Sequence, residues 1–274
     1  MTRYEVAPGC HLNVDVAGSG PPLVLLHGFT GSARSWGEFG EALARAFTTI
    51  AVDIVGHGAS DSPAALDHYR MPRAVAGIVR AVELAGYPRA HWLGYSMGGR
   101  TALHVAAAFP RAVDRLVLIG ASPGIQDPAE RAARVASDEA LAARIERDGI
   151  ECFVDYWEDI PLFATQRRLP AEVRARIRAG RLASNPTGLA NSLRGMGAGA
   201  QEPIHAQLGT MTMPALVLAG SEDAKYVEVG QSIATAMPRA RFARIRGAGH
   251  AAHIEAPGTC AAAVISFLQE KEQP

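Results

Sequence analysis

Residues 94–98 read Gly-Tyr-Ser-Met-Gly, a G-x-S-x-G pattern with Ser96 at its centre. The apolar run 90–93 before it predicts a buried strand, and residues 100–109 after it predict a helix. A serine in a tight turn between strand and helix has a strained backbone and an exposed hydroxyl. The pattern therefore predicts that Ser96 takes part in proton or acyl transfer, with an ordinary glycine-rich turn as the alternative.

Two further groups follow later strands. The predicted strand 214–219 is followed by Asp223, and the strand 240–245 by His250, which sits between Gly249 and Ala251. Parallel strands place their carboxyl ends on one edge of a sheet, so these side chains should meet Ser96. His250 would accept the serine proton and Asp223 would fix its tautomer. The order Ser, Asp, His is that described for α/β-hydrolases.

Glu222 in place of Asp223, and His253 in place of His250, are open alternatives for the acid and the base. Asp53 and His57 also follow a predicted strand. We assign these two a structural role, in which they hydrogen-bond a loop kinked at glycines.

The predicted strand 23–26 ends just before Gly28, which lets the backbone approach a ligand closely. We expect the amides of Phe29 and Met97 to form an oxyanion hole, worth roughly 100- to 1000-fold in rate per donor. A simple strand-to-loop turn is the alternative for Phe29.

Strands and helices alternate along most of the chain, which predicts an α/β fold with a mostly parallel sheet covered on both faces. The remaining predicted strands are 12–16, 49–52 and 116–119, and the remaining core helices are 36–47, 71–84, 226–237 and 257–270. No buried strand is predicted in residues 123–210, which instead suggest helices over 128–147, 150–158, 171–182 and 186–195. We therefore expect a core of residues 1–122 and 211–274 with a helical cap of residues 123–210.

Composition excludes several functions. Among 274 residues, 27 basic side chains balance 27 acidic ones, so no overall charge attracts nucleic acid or an anionic membrane. No apolar run is long enough to cross a bilayer and no leader-like segment begins the chain, so the cytoplasm is expected. Three dispersed cysteines predict reduced, buried thiols rather than a disulfide framework or a metal site.

Several segments spread over nearly the whole chain carry a family resemblance: 27–31 with Trp36, 94–100, 122–125 with Arg131 and Arg134, 155–157, 161–163, 181–182, 185–186, 193–197, 220–225 and 249–253. They resemble the α/β-hydrolase family, with its helical cap insertion, and within it the 2-succinyl-6-hydroxy-2,4-cyclohexadiene-1-carboxylate synthases of menaquinone biosynthesis. The triad motifs are shared by the wider family, whereas the cap segments, Arg100 and Lys225 are specific to this branch.

The resemblance implies a lyase that needs no cofactor and eliminates pyruvate from 2-succinyl-5-enolpyruvyl-6-hydroxy-3-cyclohexene-1-carboxylate. Such a substrate carries three carboxylates, which suit the planar, bidentate guanidinium of arginine. The substrate contacts that the resemblance implies are Tyr95, Arg100, Arg134, Trp157, Arg181 and Lys225. The family's cap arginine corresponds either to Arg181 or to the position of Ala183, so this contact stays open.

Two rival functions use the same residues. A serine esterase or a carbon-carbon bond hydrolase would form an acyl-enzyme at the serine. A binding protein without catalysis is the third alternative, because a fold does not determine a function. In the main interpretation the partner is a small polycarboxylate, and the protein is a monomer or a small homo-oligomer.

Overall fold

The computed structural model describes residues 1–270, and its centre is an eight-stranded sheet in the order β1-β2-β4-β3-β5-β6-β7-β8. The strands are β1 (Thr2–Ala7), β2 (Cys10–Ala17), β3 (Pro22–Leu26), β4 (Thr48–Val52), β5 (Ala90–Tyr95), β6 (Val113–Ile119), β7 (Ala215–Gly220) and β8 (Ala240–Ile245). All neighbours from β4 to β8 in this order pair in parallel, while β2 is antiparallel to β1 and β4. The predicted α/β class is confirmed.

Ten helices follow in the described chain: α1 (Gly37–Ala44), α2 (Met71–Leu84), α3 (Met97–Ala108), α4 (Pro128–Asp159), α5 (Ala171–Leu182), α6 (Pro186–Met196), α7 (His205–Leu208), α8 (Ala224–Ala236), α9 (Ala252–Glu255) and α10 (Pro257–Gln269). A 3₁₀ helix, Pro161–Arg168, lies between α4 and α5. The predicted helices recur with ends shifted by a few residues. The end of the predicted core, residues 271–274, lies outside the described residues.

Strand β1 was not predicted from the sequence. Its six residues lie at one edge of the sheet and all remain at least partly exposed. An edge strand buries too little apolar surface to produce the pattern of a core strand. Strands in the sheet interior do produce it, which is why they were recognised.

Apolar side chains cover both faces of the sheet. In β6, Leu116 and Leu118 belong to a core cluster that includes α2 and α3, whereas Val117 and Ile119 belong to a second cluster with α1 and α10. This alternation follows from the two-residue period of a strand. Because both faces are buried, the carboxyl edge of the sheet is left for a functional site.

A helical segment separates β6 from β7, where the cap of residues 123–210 was predicted; we refer to those residues as the cap. Helices α4 and α6 pack together around a small apolar core that includes Phe153 and Leu189. The two helices predicted over 128–147 and 150–158 are confirmed, because Gly149, with its non-helical φ of 81° and ψ of 175°, divides α4 into two helical segments. The division into core and cap as domains stays a prediction.

The cysteine prediction was partly wrong, because Cys10 and Cys260 are buried but Cys152 is exposed on α4. All three thiols are free. Within residues 1–270, no helix combines the length and the apolar composition that a membrane span requires.

The turn between β5 and α3 has the strained geometry that its sequence predicts. Ser96 has φ 51° and ψ −110°, a backbone conformation that residues with a Cβ rarely adopt. A Cβ on Gly94 would lie 2.2 Å from the carbonyl oxygen of Gly98, and one on Gly98 would lie 2.0 Å from that of Leu26. Both glycines are therefore required for α3 to start this close to β3 and β5.

We predict that Gly98→Ala destabilises the protein by about 3 kcal/mol or more, because the added methyl group can only be accommodated by moving the backbone of β3. The matched control is Gly180→Ala in helix α5, where an added Cβ meets no atom within 4 Å. Thermal unfolding followed by circular dichroism should show a Tm several degrees lower for the first variant and an unchanged or higher Tm for the second. Equal Tm values would contradict the close contact.

Candidate active site

Ser96, Asp223 and His250 form a hydrogen-bonded chain at the carboxyl edge of the sheet. Ser96 follows β5, Asp223 follows β7 and His250 lies in the loop after β8. The Nδ1 atom of His250 is 2.7 Å from Asp223 Oδ2, and its Nε2 atom is 2.9 Å from Ser96 Oγ. His250 is only 2% exposed, so its ring is held in this orientation. The arrangement can move a proton from the serine to the histidine.

Glu222 and His253, which the sequence leaves open as alternatives for the acid and the base, make other contacts. Glu222 is exposed and forms a bidentate ion pair with Arg168, at 2.8 and 3.1 Å. His253 is buried and packs on Tyr95, with ring centroids 4.3 Å apart. Neither side chain takes the place of Asp223 or His250 in the chain of hydrogen bonds that reaches Ser96.

Asp53 and His57 are arranged as loop supports. The Asp53 carboxylate accepts hydrogen bonds from the side chain of Asn13 at 2.9 Å and from the backbone amides of Ala33 and Ala59 at 2.5 and 2.8 Å. His57 is buried against the ring of His27, with centroids 5.1 Å apart. These contacts hold the loops after β3 and β4 in place.

The oxyanion-hole prediction concerns the amides of Phe29 and Met97. Met97 is the first residue of α3, so its amide belongs to the helix turn whose N–H groups have no acceptor within the helix. The loop carrying Phe29 lies beside the serine, because a Cβ on Gly28 would be 3.6 Å from the Cβ of Ser96. The loop that carries Phe29 and the first turn of α3 thus adjoin the serine, and the role of the two amides stays a prediction.

Arg100 is partly buried in the first turns of α3. Its Nη1 atom donates to the carbonyl oxygen of Met196 at 2.9 Å and to the side-chain oxygen of Gln201. Burial lowers its pKa to about 10, so it is still charged at neutral pH. Arg134 donates from Nε to Asp138 at 2.8 Å, and Asp138 is only 5% exposed. Burial raises the pKa of this aspartate although both arginines lower it.

Arg181 lies on another side of the site. It is 7% exposed, and its guanidinium lies 5.0 Å from the ring centroid of Phe163. Its protein partners are Glu158 and Gln166, both at the long distance of 3.3 Å. Burial lowers the pKa of Arg181. Arg181 is therefore a buried cation that could meet an anionic ligand, and its correspondence to the cap arginine of the family stays a prediction.

The other expected contacts divide into two groups. Tyr95 is buried with its ring 5.4 Å from that of His250, and Trp157 lies edge-on to Phe29 at 5.4 Å. Both rings therefore pack beside residues of the site, and their contact with substrate stays a prediction. Lys225 is exposed in the first turn of α8, and within residues 1–270 it contacts none of the other expected site residues.

A cavity of about 550 Å³ opens beside the triad. It is lined by Gly28 and Phe29 from the core, by Phe163 and Arg181 from the cap, and by Tyr95. The triad side chains are not among its lining residues within the described chain, although Gly28 and Tyr95 adjoin Ser96. A small ligand could therefore extend from Ser96 into this space.

Comparison with known proteins identifies the family. The family model of the alpha/beta hydrolase fold matches residues 21–257. The chain belongs to the α/β-hydrolase family. Its elbow serine and its triad order are those described for α/β-hydrolases.

Relatives of this α/β-hydrolase indicate its branch. Two Klebsiella pneumoniae proteins named 2-succinyl-6-hydroxy-2,4-cyclohexadiene-1-carboxylate synthase are 34% and 35% identical to it, over 91% and 94% of this chain and 93% and 96% of their own. A Bacillus subtilis protein, provisionally named for the same activity, is 39% identical over 92% of this chain and 93% of its own. The structure of MenH from S. aureus aligns with a TM-score of 0.89 and 30% identity, covering 96% of this chain and 99% of that one. The resemblance to these synthases is confirmed.

Several residues that contact the expected site residues were not singled out in the sequence: Asp138, Glu158, Gln166, Gln201 and Tyr226. The first four lie in the cap, and nothing in their type or spacing distinguishes them from solvated polar residues. Tyr226 did carry a signal, because it follows Asp223 by three residues in the first turn of a predicted helix.

Buried neutral histidines predict a fall in stability on acidification. Burial lowers the pKa of both His57 and His253 to about 3, against about 6.5 in an unfolded chain. Below pH 6.5 the unfolded chain binds protons that the folded protein does not, so the free energy of unfolding should decrease by up to about 1.4 kcal/mol per pH unit per histidine. Urea unfolding at pH 7, 6 and 5 measures this slope. His253→Gln should reduce the slope, and an unchanged slope in this variant would contradict burial of a neutral ring.

Proposed function

We propose that this protein is a lyase without a cofactor that eliminates pyruvate from 2-succinyl-5-enolpyruvyl-6-hydroxy-3-cyclohexene-1-carboxylate. The product is 2-succinyl-6-hydroxy-2,4-cyclohexadiene-1-carboxylate. The names of relatives that match over nearly their whole length support this function. The observation that carries it is the placement of Arg100 and Arg181 near a complete Ser96–His250–Asp223 chain of hydrogen bonds.

The cations distinguish this site from that of a simple esterase. A substrate with three carboxylates loses its hydration on binding, and only charged hydrogen-bond donors compensate for that loss. Arg100 and Arg181 each retain donors that make no hydrogen bond to protein groups within residues 1–270. Arg134, Tyr95, Trp157 and Lys225 complete the proposed set of substrate contacts.

The reaction begins when Ser96 removes the ring proton next to the succinyl ketone and passes its own proton to His250. Electrons of the broken C–H bond first form an enolate with the succinyl ketone. When the enolate collapses, the ketone is restored, the 2,3 double bond forms, the former 3,4 double bond moves to 4,5, and the C5–O bond breaks. The leaving group is enolpyruvate, which takes up a proton to become pyruvate. Asp223 stabilises the imidazolium, and the amides of Phe29 and Met97 stabilise the enolate oxygen.

This mechanism uses Ser96 as a base and forms no covalent intermediate. A free serine alkoxide is too basic to persist at neutral pH. The hydroxyl proton of Ser96 therefore has to pass to His250 while the C–H bond breaks. The hydrogen bond of 2.9 Å between the two side chains provides that path. The state of assembly, a monomer or a small homo-oligomer, stays a prediction.

Ser96→Ala should lower pyruvate release by at least about 1000-fold, because the base is lost while the substrate contacts stay. The assay follows pyruvate from freshly prepared substrate against its spontaneous loss. Near-normal turnover in the variant would exclude this role. Slow release by the wild type together with an acyl-enzyme burst on a neutral ester would instead favour the hydrolase alternative.

Arg100→Ala should lower kcat/KM by more than about tenfold, since a charged contact in a partly desolvated site is removed. Arg73→Ala serves as the control, because Arg73 is exposed and pairs with Asp67 on the core surface. Arg100→Lys tests the geometry, since a lysine keeps the charge but not the bidentate fork. An unchanged kcat/KM in Arg100→Ala would remove this arginine from the site.

A further inference from the structure

Tyr226 contacts two members of the triad. Its ring centroid lies 4.5 Å from that of His250, at an interplanar angle of 51°. Its backbone N–H donates to Asp223 Oδ1 at 3.4 Å, as part of the cap of helix α8. The side chain is therefore fixed beside the reacting groups by contacts that depend on the ring and the backbone and not on the hydroxyl.

The charges of Arg100 on α3 and Arg134 on α4 act on the hydroxyl of Tyr226. Burial raises the pKa of this phenol, while the charges of Arg100 and Arg134 lower it; the net shift is upward. The group is thus a protonated O–H at neutral pH. Within residues 1–270 no protein group forms a hydrogen bond with this hydroxyl. A partly buried donor without a protein partner is suited to an acceptor that arrives with a ligand.

The neighbouring arginines also retain donors. Arg100 uses Nη1 for Met196 and Gln201, which leaves Nε and Nη2. Arg134 uses Nε for Asp138, which leaves both terminal nitrogens. A carboxylate has two oxygens and accepts about four hydrogen bonds. The two guanidinium groups, whose charges act on the Tyr226 phenol, and the phenol itself therefore have enough free donors to fill the acceptors of one carboxylate.

We propose that Tyr226 is a specificity-determining residue whose hydroxyl donates a hydrogen bond to the substrate carboxylate bound by Arg100 and Arg134. This inference rests on the proposed function, which supplies the polycarboxylate. The ring has a separate task, because it packs against His250 whether or not the hydroxyl is present. Removing only the hydroxyl should therefore weaken binding and leave the proton transfer intact.

Tyr226→Phe is the test, and Tyr87→Phe is its control. Tyr87 is also half-buried, but it precedes the amino end of β5, at the edge of the sheet opposite to the site. Two quantities are measured: KM and kcat for pyruvate release, and the Kd of the stable keto-diacid 2-(3-carboxypropanoyl)benzoate by titration calorimetry. We expect Tyr226→Phe to raise KM and Kd by about tenfold, with kcat within about threefold of the wild type. Tyr87→Phe should change none of these values.

A second experiment asks whether the hydroxyl and Arg100 act on the same group. In the Arg100→Ala background, adding Tyr226→Phe should lower kcat/KM by less than about threefold relative to Arg100→Ala alone. The reason is that the shared carboxylate is already poorly held without Arg100. The same tenfold effect in both backgrounds would overturn the shared contact. KM and Kd equal to those of the wild type in Tyr226→Phe would overturn any role of the hydroxyl.

The two proposals fail separately. If the wild type releases no pyruvate above the spontaneous rate, the proposed function fails, and the calorimetric comparison still decides whether the Tyr226 hydroxyl binds a carboxylate. If the wild type releases pyruvate and Tyr226→Phe matches it in both KM and Kd, only the inference about Tyr226 fails.

Discussion

The close approach of helix α3 to strands β3 and β5 is the contact on which the site depends. It exists because Gly94 and Gly98 lack side chains where a Cβ would lie little more than 2 Å from a backbone oxygen. That approach forces Ser96 into a strained turn and aims the first amides of α3 at the space above it. His250 and Asp223 then need only the ordinary geometry of strand ends to reach the serine. The backbone strain therefore lies at Ser96 and is maintained by the close packing of α3 on the sheet.

The cap supplies the groups that hold the cations. Asp138 accepts a hydrogen bond from Arg134, and Gln201 accepts one from Arg100. Glu158 and Gln166 each accept one from Arg181. Each of these arginines keeps some donors free of protein acceptors within the described chain. Arg194 differs, because Glu139 and Glu146 bind its guanidinium from both sides and raise its pKa. Complete pairing of that kind joins α4 to α6, whereas partial pairing leaves a cation able to bind a ligand.

Four histidines lie near one another at this edge of the sheet, and their surroundings separate their roles. His27 and His57 are buried together beside Phe29, and His253 lies between Tyr95 and Trp36. Burial lowers the pKa of all three, which keeps them neutral. Only His250 has a carboxylate on one side and a hydroxyl on the other. Loops supported by neutral rings can thus hold one histidine in position to accept a proton.

The sequence by itself determined the α/β class, the elbow at Ser96, and the order of serine, acid and base, because strand periodicity and glycine spacing are local properties of the chain. The sequence did not predict β1, because an edge strand buries little apolar surface. It also left Glu222 and His253 as candidates for the acid and the base, because loop residues one or three positions apart have no distinguishing pattern. Tertiary structure decided between them, because only the pairing of β5, β6, β7 and β8 in one parallel sheet brings Asp223 and His250 toward the serine. Tertiary structure also decided which polar residues of the cap contact the arginines, and that Tyr226 lies against His250. These contacts join segments that are far apart in the chain, and a local sequence pattern carries no information about such distances.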